Sequence, residues 1–416
     1  MALILKNRNY RLHISAAAIS NLGDGVSSLA FPWLATLITR DPLLISAVVF
    51  AGYLPWLLLA IPAGVLTDRR DRRQLMVQAD LVRFLLTTVI VALAFAVPQE
   101  PLSGAQALPY VAALAALSFL LGTAEVLRDN AAQTVLPAIV EKSELEQANG
   151  QIWSVEQVMG QFIGPPLAGL LIAYAVPAPF VLDAASFALA AALVWCVAIP
   201  KRVAPSERKF LEEAKTGILW MRSHKQVLQL ALMLGALNFF SMMMMTVLVL
   251  YSQEVLGLSA AAHGILLTAG AAGGVIGGLL WPKITKQLGA QRGLFLALVL
   301  FPIAPLILAL TSNAFVAGFA IGLEMLVAVL WNVITVSYRQ RLIPDDLLGR
   351  VNSIYRFFGW GTMPFGALAG GALVAAAQAD IGRLDALRLP FFGTAIGFGL
   401  ILLYALARLR VKETRL

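Results

Sequence analysis

The sequence predicts an all-α membrane protein of twelve crossings, folded as two pseudo-symmetric six-helix bundles, and three observations lead there. First, 59% of its 416 residues are hydrophobic and only 13% are charged, far from the balance of water-soluble domains. The apolar residues gather into twelve runs, near 12–37, 43–67, 74–97, 106–129, 150–176, 178–199, 227–251, 261–282, 291–311, 314–338, 350–377 and 388–407. Each is close to the about 20 residues that cross a hydrocarbon layer of about 30 Å. Second, all but five of the 31 Lys and Arg lie at the termini or in alternate connections, and basic residues near span ends stay cytoplasmic. Third, the second half echoes the first. Leu136-Pro137 leading to Asn149 and Gly169 returns as Ile343-Pro344 leading to Asn352 and Gly370, the mark of a duplicated six-helix unit.

These patterns place both termini in the cytoplasm and the chain in the cell (inner) membrane. The expected domains are a bundle over 1–199, a cytoplasmic linker over 200–226 and a second bundle over 227–416. In the linker Phe210, Ala214, Ile218 and Met221 recur at helical spacing, which predicts an amphipathic helix on the membrane surface that tethers the halves. The net charge of +8 is spread over several short segments, so it reports topology first, and a nucleic-acid partner is the weaker reading and is not expected. Membrane lipids surround such a chain, and a monomer suffices.

Taken in order, the first run carries a basic patch but is too long for a signal-peptide core and lacks a small-residue cleavage site. It holds Asn21, Asp24 and Trp33. Asp24 falls near the bilayer midplane, where an ionised carboxylate costs roughly 2.5–3.5 kcal/mol; it is a proton-coupling candidate, or else a hydrogen-bonding Asp beside Gly23 and Gly25. Between the second and third runs, Gly64, Asp68, Arg69, Asp71, Arg72 and Arg73 crowd into a very short turn. Asp80 and Arg83 then stand three apart on one helix face, and Glu125 and Arg128 do the same in the fourth run; both are expected to be structural charge pairs. The fifth run carries Gly160, Gly164, Pro165 and Gly169, small residues that let helices approach closely in lipid, with prolines that bend the helix.

In the second half, the seventh run offers Asn238, Phe239 and Met242, the tenth Glu324, Trp331 and Asn332, and the eleventh Arg356 and Trp360. Glu324 is again near mid-depth and is the second proton-coupling candidate. The aromatic, Met and Asn residues, with Arg356, are candidates for a cavity that takes an amphipathic substrate, against the alternative of ordinary helix packing. Cys196 is alone, so no disulfide framework exists. His13, His224 and His263 are isolated and no phosphate-binding Gly-x-x-x-x-Gly-Lys-Ser/Thr segment occurs. No metal, no cofactor and no enzyme activity are expected.

The stretch from Gly64 to Arg73 resembles the loop between the second and third helices of the major facilitator superfamily, Gly-x-Leu-x-Asp-Arg-x-Gly-Arg-Lys/Arg. Gly64, Leu66, Asp68, Arg69, Arg72 and Arg73 match, and Asp71 stands where the second Gly would be. That exchange, with the continuation from Met76 to Val82, is similar to the macrolide-efflux-like branch, alongside siderophore exporters. The fifth-run glycines resemble the antiporter signature of the superfamily, slightly shifted. The resemblance implies export of drugs or natural products, multidrug efflux among them, by alternating access in exchange for protons. It also implies that Asp68 latches onto the start of the eleventh helix when the inner side is shut. A dedicated siderophore or metabolite exporter, a nutrient importer and a lipid translocase remain as alternatives.

Overall fold

The computed structural model describes residues 2–97, 100–199, 210–344 and 347–411, with the side chains at 2, 60, 61, 65, 68, 69, 142, 146, 210–215, 348–350 and 353 outside that description. The chain forms α1 (Ala2–Lys6), α2 (Arg8–Ile38), α3 (Pro42–Arg69), α4 (Arg72–Phe95), α5 (Leu108–Ile139), α6 (Leu145–Glu156), α7 (Gly164–Tyr174), α8 (Ala178–Trp195) and α9 (Phe210–Ser223). It continues with α10 (Lys225–Glu254), α11 (Ala260–Leu300), α12 (Ile303–Leu310), α13 (Ala314–Leu342), α14 (Leu348–Trp360), α15 (Met363–Ile381), α16 (Arg383–Ala386) and α17 (Leu389–Arg408). Among the described residues there is no strand, only a bridge between Thr39 and Leu102.

Nine spans among the described residues are long and apolar enough to cross a membrane. Three features separate that number from the twelve runs of the sequence. The α2 helix is long but polar along its middle, with Ser20, Asn21, Asp24, Ser27 and Ser28. The run over 150–176 is split by a π-helical turn, Gln157–Ile163. And Ala260–Leu310 is one stretch of 51 residues, broken at Gly289, whose φ of 77° only glycine adopts readily.

The π turn has a local cause. Pro165 and Pro166 open α7 and have no N–H to give the carbonyls one turn back, and their rings would press on those carbonyls. Widening the preceding turn relieves both problems.

The chain divides into two compact units. One comprises Met1–Arg40, Ala51–Glu207 and Ser259–Thr268; the other comprises Asp41–Phe50, Arg208–Leu258 and Ala269–Leu416. The division passes through α3 and α11 rather than through the linker alone.

In the first unit α8 lies against both α2 and α4, and α4 against α5. Backbones nearly touch where α2 meets the π turn and α7: a Cβ on Gly25 would stand 2.3 Å from the Gly160 carbonyl, and one on Gly164 2.5 Å from the Gly25 carbonyl carbon. Gly169 makes the same kind of approach, with a Cβ there 2.4 Å from the Ala260 carbonyl. The fifth-run glycines thus sit at close helix crossings, the condition under which small residues favour association in lipid.

In the second unit α10 lies against α14, α15 and α17, around a core that includes Leu230, Leu294, Leu330, Trp331, Val351 and Phe398. Tyr251 ties α10 to the end of α12, donating to the carbonyls of Leu308 at 2.8 Å and Thr311 at 2.7 Å. The loop before α17 is clamped by Arg383, whose guanidinium meets Glu254 at 2.8 and 3.0 Å. The linker helix α9 packs on α10 and α14. Its Met221 is buried in the second unit's core while Ile218 is exposed. The expected surface stripe is therefore turned so that one of its members serves as packing; Ala214 lies outside the described side chains.

Candidate functional site: buried carboxylates and their partners

A chain this apolar displays every ionisable residue in a span, because each must find a partner or stay neutral. In the first unit the structure gathers most of them. Arg83 of α4 forms an ion pair with Asp24 of α2. The same guanidinium reaches Ser20 Oγ at 3.4 Å and Asp80 at 3.8 Å, and it lies 3.9 Å from the centre of the Phe187 ring on α8. Asp80 is fully buried and also meets Arg128 of α5 at 3.5 Å; Arg128 reaches on to Asp129 at 3.7 Å. Four helices are thereby joined through two guanidinium groups.

This arrangement revises the expected pairs. Asp80 and Arg83 do approach, but each has a nearer partner on another helix. The expected pairing of Glu125 with Arg128 is not found, because Arg128 turns to Asp80 and Asp129. Asp24, expected to exchange protons, already has a cation against it.

Asp183 of α8 went unremarked in the sequence, although it is the one acidic residue in Ala178–Trp195. It is 1% exposed. Ser27 of α2 donates a hydrogen bond to its Oδ2, while Oδ1 has no hydrogen-bond partner and lies against the α2 backbone at Gly23, where a Cβ would stand 2.4 Å from it.

In the second unit Glu324 of α13 is 8% exposed and accepts a hydrogen bond from Ser241 of α10 at 3.2 Å. Around it, the candidate cavity residues divide. Asn238 is spent on a tie between helices, donating to the Gly359 carbonyl at 2.9 Å. Trp331 is a core residue, 1% exposed and edge-on to Phe301. Trp331→Ala should therefore cost about 3–5 kcal/mol of packing; a lowered unfolding temperature with an unchanged spectrum of bound compounds is expected, and altered selectivity at normal stability would return Trp331 to the cavity. Met242 is buried, Phe239 is half-buried beside Phe240, and Asn332 is exposed. Arg356 stands over the Trp360 ring, 5.7 Å from its centre. In the first unit Asn21 bonds back to the Ala17 carbonyl of its own helix, and Trp33 lies against His263, their rings 5.8 Å apart.

The charged turn is held by short-range chemistry. Asp71 caps α4, accepting from the Gln74 N–H at 3.0 Å. Arg72 donates to the Thr134 carbonyl at 2.8 Å, and Arg73 lies 5.5 Å from the centre of the Trp195 ring. Gly64 has open space where a Cβ would project. The Asp68 and Arg69 side chains lie outside the described residues, as do those of Leu348, Gly349 and Arg350.

A family of transmembrane secretion effectors matches residues 4–412. A staphyloferrin A transporter of Staphylococcus aureus is 25% identical over 361 residues, covering 85% of this chain and 86% of its own. A macrolide efflux protein A of Streptococcus pyogenes is 26% identical over 284 residues, covering 66% and 67%. Among solved structures, a bacterial homologue of the iron transporter ferroportin, in an inward-facing state, superposes with a TM-score of 0.73 at 16% identity, over 95% of this chain and 98% of that one. With its nearly all-helical fold, multiple candidate spans and a match running almost end to end, the chain belongs to the transmembrane secretion effectors, a family of major facilitator superfamily transporters.

Proposed function

We propose that this protein exports amphipathic, largely apolar drugs or natural products across the cell membrane in exchange for protons, by alternating access. The observation that carries the proton step is Glu324. It is a buried carboxyl with a hydroxyl partner, Ser241, and no cation paired with it among the described residues, so its ionised form is costly and its protonated form is at home. Asp24, with Arg83 against it, is better suited to holding helices together. The efflux activity in the name of the macrolide relative supports the outward direction.

The energy suffices. A membrane potential supplies about 2.3 kcal/mol per charge per 100 mV, and each pH unit about 1.4 kcal/mol per proton, so one proton per cycle drives roughly tenfold accumulation or more. Both termini lie in the cytoplasm in this reading, and Asp68 forms the inner latch. A carboxylate at a helix N-terminus is stabilised by about 0.3–1 kcal/mol, small enough to break in each cycle.

Vesicles containing the protein and loaded with erythromycin or ethidium test the reading. Export should collapse when the proton gradient is dissipated, fall at least tenfold in Glu324→Gln, and stop in Asp68→Asn, with the amount of folded protein unchanged. Export indifferent to the gradient would sink the antiport. A second reading, dedicated export of a siderophore or similar metabolite, is favoured by the longer match to the staphyloferrin A transporter; a compound panel in which a single chemical class is moved would select it.

A further inference from the structure

We propose that Asp183, rather than Asp24, is the proton-carrying carboxyl of the first unit, and that its ionisation competes with Asp24 for Arg83. The inference rests on the proton-exchange reading above and adds the residue that performs it in this unit.

The argument begins with what faces Asp183. Two long helices pack on α8, and α7 touches it as well. From α2 come the Ser27 hydroxyl and Asp24; from α4 comes Arg83. The α7 helix supplies no Asp, Glu, Lys, Arg or His. Arg83 is committed to Asp24, Asp80 and Ser20 and forms no ion pair with Asp183. Asp183 is thus buried among hydroxyls, Ser27 bonded to Oδ2 and Ser186 close by with a hydrogen bond to the Asp183 backbone carbonyl at 2.7 Å, with Oδ1 lacking a hydrogen-bond partner and a second carboxylate in its neighbourhood. An ionised group in that setting lacks both solvent and countercharge, so the arrangement fits the protonated acid.

Charge balance points the same way. Arg83 and Arg128 are acted on by Asp24, Asp80, Glu125, Asp129 and Asp183. Two cations stand among these carboxyls and Glu156, an excess that water covers at the exposed members and protons at the buried ones. Asp24, Asp80 and Asp129 have guanidinium groups against them; Glu125 and Asp183 do not, and of these two Asp183 is the more deeply buried.

Release of the proton then has a structural consequence. The O–H bond breaks with its electron pair left on the carboxylate, and the proton passes to water. The new anion attracts the nearest cation, Arg83, which stands over Phe187 a single turn along the same helix. Drawing Arg83 toward Asp183 loosens its hold on Asp24, so the protonation state of α8 sets the contact between α2 and α4. The second unit carries the same device in simpler form, with Glu324 and Ser241 across α13 and α10.

Infrared difference spectra of the full-length protein in lipid vesicles, recorded as pH is stepped from acid to alkaline, read protonated carboxyls directly and need no substrate. Recorded in a background of Glu324→Gln and Glu125→Gln, which removes the other carboxyls that have no guanidinium against them, the expected result is a titrating carboxyl C=O band that is lost on adding Asp183→Asn, kept with Asp24→Asn, and displaced in wavenumber but not lost with Ser27→Ala, since only a hydroxyl donor has gone. Asn preserves the shape of the side chain; should that variant fail to fold, Asp183→Glu is expected to show the band at a new position. A band that survives in Asp183→Asn, that vanishes in Asp24→Asn, or that is missing from the folded background protein overturns the assignment. If the band behaves as expected while export ignores the proton gradient, the assignment of the protonated group stands and the antiport reading is the one that fails.

Discussion

Arg83→Ala should destabilise the first unit by about 3–5 kcal/mol, the loss typical when one partner of a buried ion pair is removed and the other is stranded. Here the loss is compounded, because Asp24 and Asp80 both lean on this guanidinium and the ring of Phe187 loses its cation. Unfolding monitored in detergent should show a transition many degrees lower, or no folded protein at all. Removing the carboxylates as well distinguishes the cause. In Arg83→Leu with Asp24→Leu and Asp80→Leu, the stranded carboxylates are gone and Arg128 keeps Asp129 at 3.7 Å, and replacing a buried ion network by apolar residues is often neutral or stabilising. Most of the stability should return while proton-driven export does not. If the triple variant is as unstable as the single one, the damage lies in packing against Phe187 rather than in stranded charge.

The second large effect belongs to glycines and differs sharply between neighbours. Gly25→Val should cost more than about 3 kcal/mol, above the usual range for an overfilled site. A Cβ there meets backbone, with the Gly160 carbonyl oxygen at 2.3 Å and the Gly160 Cα at 2.7 Å, and a main chain held in two helices cannot step aside. Gly164→Ala should be nearly as harmful for the reciprocal reason, a Cβ 2.6 Å from the Gly25 Cα. Gly160→Ala should be mild, since its Cβ would meet only the Asn21 carbonyl at 3.6 Å, an ordinary contact. Size-exclusion profiles of the three variants decide this. A loss at Gly160 as large as at the other two would mean that the π turn itself, besides the approach of α2, requires glycine there.

Much of this was legible because apolar spans make each exception conspicuous. Asp24 and Glu324 stand out in runs of hydrophobic residues, and the structure buries Glu324 and pairs Asp24. Gly64 to Arg73 announces a tight charged turn, and its Asp71 and Arg72 do hold that turn together. Partnership was not legible. Asp24 and Arg83 lie 59 positions apart, while Glu125 and Arg128, adjacent on one helix face, do not pair. Asn238 and Trp331 belong to types that line cavities, yet one bridges helices and the other fills a core. Asp183 was passed over because a single Asp beside small residues carries no spacing rule.

Composition, the rhythm of apolar runs and the placement of basic residues were enough to specify a helical protein of many membrane spans, since lipid forces every span to be apolar and internally hydrogen-bonded, and the resemblance of Gly64 to Arg73 supplied the family. Which carboxylate has a cation and which has only a hydroxyl was decided by the crossing of α2, α4 and α8. A helix that is apolar on every side has no stripe to show which face turns inward, so that choice emerges only when neighbouring helices, drawn together at Gly23 and Gly25, set each side chain against its partner.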